Sequence, residues 1–577
     1  MPSPRGLGIL SIILPSLILI LAALTNDAIV SARQETGFGQ AHLYTPTYPP
    51  EKSPWVVKAH FSTREQVNRV AERIEPWEVN YDQGFILLEV DKEQYQWLLD
   101  LGFQVEIAQE LTEQLHRPQS ALPGQVAGIP GYPCYRTVEE TYATAGQIAS
   151  AHPSLASWID IGDSWKRFAF GSDSGQDMMV LRLTNALIGG DKPKLFVLSS
   201  IHGREYAPAE LNTRFAEYLV NHYGTDADAT WLLDYHEIHL LFHANPDGRE
   251  RAEAGKSWRK NADNNYCSNT DLRGADLNRN FEFAWGCCNG SSDYVCDLTY
   301  RGPNPASEPE TQAIQDYVRS IFLDQRDVPL TSPAPPDATG VFIDLHSYGE
   351  LVLWPWGFTT STPPNNTALR TLGRKFAYFN GYTPEQSIEL YPTDGTTDDF
   401  SYGELGLASY TFELGTAFFQ SCSTFEGDIL ADNIAALLYA AKIVRTPYQT
   451  PAGPDSYAVS ISPQFIGKGQ EPTLSATIDD TRYIGGEPIQ PILAAEYYLD
   501  TPPWVSSPTT ISHPMSALDG GFDEHIETVM ASIDTQGLDP GKHILFVRGQ
   551  DADGNWGPFS ASFLQVLDQL FLPMIVK

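Results

Sequence analysis

Positive charge is scarce in this chain. Over 577 residues, 37 Lys and Arg stand against 72 Asp and Glu, a formal net charge of -35. So acidic a surface repels nucleic acid and anionic lipid and favours solubility, and no basic stripe offsets it. Long apolar runs are missing beyond the first. Leu7 to Leu24 is almost wholly apolar, and no later stretch is built to span a membrane. Arg5 precedes that run and the small residues Val30-Ser31-Ala32 follow it, the order of a secretory leader. Residues 1–32 are therefore expected to be removed and the protein to be extracellular, a retained anchor being the competing reading. Cysteine is sparse: Cys134, Cys267, Cys287, Cys288, Cys296 and Cys422. Six in an exported chain point to disulfides, and the four that crowd one loop region are expected to pair locally. The vicinal Cys287-Cys288 lacks the C-x-x-C spacing usual in structural zinc sites.

Several signatures fall short. Gly171-Ser172-Asp173-Ser174-Gly175 has aspartate where G-x-S-x-G needs its nucleophile, which disfavours a serine hydrolase. His236-Glu237-Ile238-His239 misses H-E-x-x-H by one residue, and with His243 it reads as alternation along a strand, so these histidines are taken as structural. Asp551-Ala552-Asp553-Gly554-Asn555 misplaces the glycine of an EF-hand and reads as a turn.

What is present divides into segments. Trp55 to Phe61 is a strand candidate, followed by a helix capped by Ser62 with Glu65 as its capping box, and Phe85 to Val90 is a second strand. Asp91 caps another helix that Gly102 stops, and Phe103 to Ile107 closes a small open-faced α/β sandwich. A Pro/Gly/Gln-rich connector near 117–133 has little to bury and should be exposed to proteolysis. From Tyr135 to about Arg445, strands alternate with helices as in α/β proteins. Beyond Pro447, short alternating runs separated by Gly, Pro, Asp and Ser argue for a β-sandwich.

The chemistry lies in the middle segment. His202 and Glu205 stand three residues apart after one strand, His346 ends another, and Glu413 ends a third. Ligands of open α/β sheets gather beyond strand ends, and two His with one Glu and an open fourth position make a catalytic zinc site rather than a structural one.

The blocks Ile201 to Glu205, Asn245 to Gly248, Ser257 to Asn261, Asp276 to Asn280, His346 to Tyr348 and Thr411 to Leu414 occur in an order that resembles the metallocarboxypeptidases of the carboxypeptidase A/B family, nearest to the bacterial carboxypeptidase T-like branch. The resemblance covers a little over half of the chain. It implies one zinc ion held by His202, Glu205 and His346, with Asp276 orienting a ligand histidine. It implies Glu413 as general base and Arg259 as the oxyanion's partner. Asn278 and Arg279 would hold the substrate's C-terminal carboxylate, and Arg204, Tyr348 and the mobile Tyr391 would also touch substrate. Asp398 aligns with the floor of the side-chain pocket, implying preference for C-terminal Arg and Lys with some tolerance of apolar residues. The bacterial branch also allows calcium, for which no ligands are assigned.

The expected fold class is α/β: a mixed, doubly wound sheet flanked by helices, with a small α/β sandwich pro-domain and a C-terminal β-sandwich. The expected boundaries are a signal peptide at 1–32, a pro-domain-like unit at 33–116, the connector at 117–133, a zinc carboxypeptidase domain at 134–447, an Ig/fibronectin-like sandwich at 448–566 and an apolar tail at 567–577. Peptide or protein C-termini are the expected substrates, with no nucleic-acid partner and no membrane contact beyond the leader. The N-terminal unit is expected to inhibit until the connector is cut. No assigned catalytic residue lies beyond Pro447, so the sandwich is expected to be dispensable for hydrolysis. A zinc amidohydrolase acting on amidated amino acids or cell-wall peptides, and a non-catalytic peptide-binding protein, are the alternatives.

Overall fold

The computed structural model describes residues 53–117, 119–505, 507 and 510–568; the leader at 1–32 and the tail from 569 onward lie outside them. Among the described residues, no helix is long and apolar enough to cross a membrane.

The N-terminal unit is built on strands β1 (Trp55–His60), β2 (Glu78–Asn80), β3 (Phe85–Val90) and β4 (Gln104–Ile107), in the order β2-β3-β1-β4. Neighbouring strands run antiparallel. Two-residue alternation puts Trp55, Val57 and Ala59 of β1 into one core with Val67, Val70 and Leu98 from helices α1 (Arg64–Ala71) and α2 (Lys92–Asp100). The cap of α1 is Thr63, not Ser62, and its reciprocal partner is Gln66, not Glu65. The physical reason is Gln66 itself, whose side-chain oxygen accepts from both the Thr63 and Ser62 amides. Asp91 caps α2 as its sequence predicts.

The central segment carries β5 (Ala156–Asp163), β6 (Asp177–Leu183), β7 (Lys194–Ser199), β8 (Glu237–Leu241), β9 (Val341–His346), β10 (Leu351–Trp354), β11 (Thr383–Gln386) and β12 (Ala408–Glu413). They form one mixed sheet, β11-β10-β12-β9-β7-β8-β6-β5, whose four central strands β12, β9, β7 and β8 are mutually parallel. Burial on both faces explains why these central strands read as apolar runs rather than as alternation. Helices α3 (Tyr206–His222), α4 (Ala227–Tyr235), α5 (Pro246–Glu253), α6 (Asn366–Asn380), α7 (Thr397–Leu405) and α8 (Leu430–Ile443) belong to the same segment. Of the three structural histidines only His239 lies on a strand. His236 caps the end of α4 and His243 follows β8; all three are buried. The strand ends too early for continuous alternation, and tertiary packing takes over.

Two further sheets make the C-terminal sandwich. One orders β13 (Asp455–Ser462), β15 (Thr473–Asp479), β19 (Ile526–Ser532) and β18 (Ser516–Ala517). The other orders β14 (Phe465–Gly467), β21 (Ser560–Leu567), β20 (Gly541–Asp551), β16 (Ile492–Leu499) and β17 (His513–Pro514). Asp551 accepts from the Asn555 amide, closing the expected turn.

The sandwich is not a loose appendage. Tyr498, Phe546 and Phe559 share one hydrophobic cluster with Trp231 of α4. The fully buried Lys375 of α6 pairs with Asp455 at 2.8 Å, and Arg374 pairs with Glu487. Removing everything after Pro447 strips those partners, and a buried charge left unpaired is strongly destabilising. Such a truncated chain is expected to lose soluble activity and to unfold about 10 °C or more lower, a revision of the dispensability expected from sequence. Circular dichroism melts of the two chains check this; equal melting would show the domains to be energetically independent.

Three disulfides join the six cysteines. Cys267–Cys296 and Cys287–Cys288 are local, whereas Cys134–Cys422 spans 288 residues.

Candidate active site

The parallel centre of the sheet sends its functional residues to one edge. His202 follows β7, Asn245 follows β8, and His346 and Glu413 end β9 and β12, where parallel pairing sets them directly side by side. The turn after β7 is tight because Gly203 lies against the start of α5, where a Cβ would overlap the Gly248 carbonyl. Asn245 fastens that crossing, its side-chain amide donating to the Ile201, Arg259 and Lys260 carbonyls.

His202 Nδ1 lies 2.7 Å from Glu205 Oε1, and His346 Nδ1 lies 3.3 Å from Glu205 Oε2. The opposite ring nitrogens face Asp276 at 3.2 Å and Asp344 at 2.9 Å. Each imidazole thus points one nitrogen at a shared centre and gives the other to a carboxylate, the arrangement that fixes a metal-binding histidine's tautomer. Donor atoms of His202, Glu205 and His346 all lie within 4.8 Å of one another, and all three residues are buried. Burial alone would lower the pKa of His346, but Asp344 and Glu205 outweigh it and hold it well above the ordinary histidine range. The cluster therefore favours positive charge at its centre. Two imidazoles and a carboxylate suit a divalent zinc ion, so the residues present fit that metal.

Around the cluster, Asp276 also accepts from Arg259 Nε and Nη2 at 3.0 and 2.8 Å, tying Arg259 to His202 through one carboxylate. Burial would raise Asp276, but Arg259 and His202 hold it far below the usual carboxylate range. Asn278 Nδ2 lies 3.3 Å from the His346 ring, and its side-chain oxygen accepts from the Thr397 amide. Arg279 is held by the Gly290 and Asn278 carbonyls. Burial pushes the Glu413 carboxyl up, an effect His346 opposes and Glu205 reinforces.

The zinc carboxypeptidase family profile matches residues 141–428. A zinc carboxypeptidase of Saccharothrix mutabilis subsp. capreolus is 31% identical over 303 residues, 49% of this chain and 62% of that one. Carboxypeptidase A2 of Rattus norvegicus is 30% identical over 327 residues, 55% of this chain and 70% of the relative. The chain belongs to the zinc carboxypeptidase family. At the level of fold, thrombin-activatable fibrinolysis inhibitor is similar with a TM-score of 0.53 and 21% identity, covering 68% of this chain and 98% of that structure. Carboxypeptidase A of Helicoverpa armigera gives 0.53 and 22%, covering 67% and 97%.

In this member of the family the cluster is covered by the N-terminal unit. Glu75, between α1 and β2, forms ion pairs with both Arg259 and Arg204. Burial would raise Glu75, but Arg259 and then Arg204 hold it below the usual carboxylate range. Beside it, the Trp77 ring meets Phe418 edge-on at 5.4 Å, and Phe418 meets Tyr348 at 4.9 Å. Arg73 pairs with Asp297 at 2.9 Å, and Tyr81 donates to the Leu390 carbonyl at 2.6 Å, next to the buried Tyr391. The space left at the site is about 50 Å³, enough for a water molecule but not for an amino-acid residue.

Asp398 lines that same space and does not face solvent. It accepts from Ser387 Oγ at 2.8 Å and Thr396 Oγ1 at 2.7 Å. Burial, then the neighbouring Asp398, pushes the Asp399 carboxyl well above its ordinary range. The expected residues thus converge, with Arg204 and Tyr348 on the side toward Trp77. Two residues escaped the sequence. Asp344 was legible as D-x-H on a strand, where alternate residues share a face. Glu75 had no signal, being one acid in a very acidic chain.

Proposed function

We propose that this chain is the secreted precursor of a zinc-dependent carboxypeptidase that removes single residues from peptide C-termini. The observation that carries the reading is the convergence of His202, His346 and Glu205 on one point with Glu413 paired beside His346. The ion, when bound there, acidifies water and polarises a carbonyl. Asn278 and Arg279 bind the free carboxylate of the substrate, because a guanidinium matches its planar, permanent charge. Arg259, held in place by Asp276, offers its guanidinium to the peptide oxygen as charge grows there. Glu413 takes a proton from the attacking water and returns one to the departing amine. Tyr391 closes the site over the bound residue. Release of the C-terminal residue from a blocked dipeptide by the cleaved enzyme, abolished by a chelator and restored by zinc, tests this; chelator-insensitive release would refute it.

Asp398 sets the preference for C-terminal Arg and Lys, with apolar residues tolerated. Its side chain lines the site and is buried, so a cationic partner offsets its desolvation. Asp398→Asn is expected to lower kcat/KM about a hundredfold on Arg and Lys substrates and only a few-fold on Leu and Phe substrates. A panel of blocked dipeptides differing in the last residue checks this, and equal losses on both classes would remove Asp398 from the specificity role.

A further inference from the structure

A second cavity, of about 590 Å³, lies where the catalytic segment meets the sandwich, and it shares no lining residue with the active site. Its size falls within the range of small-molecule sites. In a chain with 72 acidic residues, no Asp or Glu among the described residues lines this cavity, whereas Lys442, Arg445 and Arg548 do. Lys442 is paired with Asp228 and Arg548 with Glu496. Arg445 is different. Its guanidinium lies over the Trp504 ring, 4.7 Å from the centroid, and its Nε has no hydrogen-bond partner among the described residues. Burial pulls its pKa below the arginine range, and Asp191 only partly opposes this. An anion is what such a group lacks.

The other orphaned groups narrow the ligand further. Both ring nitrogens of the buried His236, and Nε1 of Trp504, have no hydrogen-bond partner among the described residues, and both side chains line the same cavity. Burial, with Arg445 and Lys192, holds His236 well below its ordinary range, so its imidazole is neutral and offers one donor and one acceptor. Hydroxyls, one accepting from the ring N–H and one donating to the other nitrogen, satisfy such a ring; a simple carboxylate can only accept. Trp231, Trp504 and Trp556 also line the cavity, Trp504 and Trp556 each with one ring face under an arginine, and indole rings suit the C–H face of a sugar ring as well as an arene. Charge, hydroxyls and a flat body are combined in one ligand class. We propose that this interdomain cavity binds an acidic carbohydrate of one or two rings, its carboxylate on Arg445 and its hydroxyls on His236 and Trp504.

The full chain is titrated with digalacturonate, N-acetylmuramate, neutral galactobiose and benzoate, read by tryptophan fluorescence and calorimetry. Saturable binding of either acidic sugar is expected, the two arms separating a uronate from a lactyl-bearing amino sugar. Galactobiose is expected to bind at least about tenfold more weakly, and Arg445→Gln to weaken the acidic sugar by about tenfold or more while leaving peptidase activity unchanged. Trp504→Phe keeps the aromatic wall and removes Nε1, so it provides a second reading if Arg445→Gln fails to fold; it too should weaken binding several-fold. No saturation by either acidic sugar up to about 10 mM would mean a merely hydrated cavity and overturn the proposal. Equal affinity for galactobiose, or tighter binding of benzoate, would overturn it as well.

Discussion

Glu413→Gln is expected to slow peptide hydrolysis by about a thousandfold or more while zinc stays bound as in the unaltered chain. Glu413 lies beside His346 in the sheet register but is not one of the three converging donors. Its half-buried carboxyl lines a polar recess with His346, Arg259 and Glu75, where a proton can be taken up and handed on. Glutamine keeps the shape and the hydrogen-bonding reach and loses only the basicity. Metal content of the purified variant, measured with turnover of a blocked dipeptide after connector cleavage, checks both halves. His346→Ala is the contrast, and should lose metal and turnover together. Near-normal turnover of Glu413→Gln with zinc in place would sink the assigned mechanism.

Cutting the connector and releasing the N-terminal unit is expected to raise activity by about a hundredfold or more. In the intact chain Glu75 occupies both Arg259 and Arg204, so the guanidinium proposed to meet the reacting carbonyl is already paired with a carboxylate. Glu75→Gln in the uncut chain should give a smaller rise, about tenfold, since a broken ion pair leaves the rest of the docking intact. Arg73 on Asp297 and Tyr81 on the Leu390 carbonyl still hold the unit down. Val126 in the connector is 98% exposed, which gives a protease its opening. Dipeptide turnover before and after limited proteolysis is the measurement. An uncut chain as active as the cut one would end the precursor reading.

The catalytic sheet was readable because its central strands are short apolar runs that each end in a polar residue, as at Leu198 before His202 and Leu345 before His346. What the sequence hid depends on contacts far apart in the chain. Glu75 meets Arg259 across 184 residues, and no local pattern marks either as the other's partner. The displaced cap at Thr63 shows the opposite limit: Ser62 is the better cap in isolation, and the reach of Gln66 moves the cap to Thr63. The sandwich was legible as alternating strands, but its fusion to the catalytic core was not, since Tyr498, Phe546 and Phe559 read like any strand aromatics until Trp231 is seen against them.

Cys134 opens the catalytic segment directly after the connector, and its bond to Cys422 fastens it to the loop beyond Glu413. A covalent loop this long removes on the order of 5 kcal/mol of chain entropy from the unfolded state. Whichever peptide bond between 117 and 133 is severed, the newly made N-terminus remains tethered behind the catalytic strand. On the precursor reading, maturation would therefore subtract a plug without creating a free end from which the sheet could unwind. On the precursor reading, cuts at different points ahead of Ile129, which is fully buried in the catalytic core, would yield enzymes with ragged leading ends and one and the same working interior.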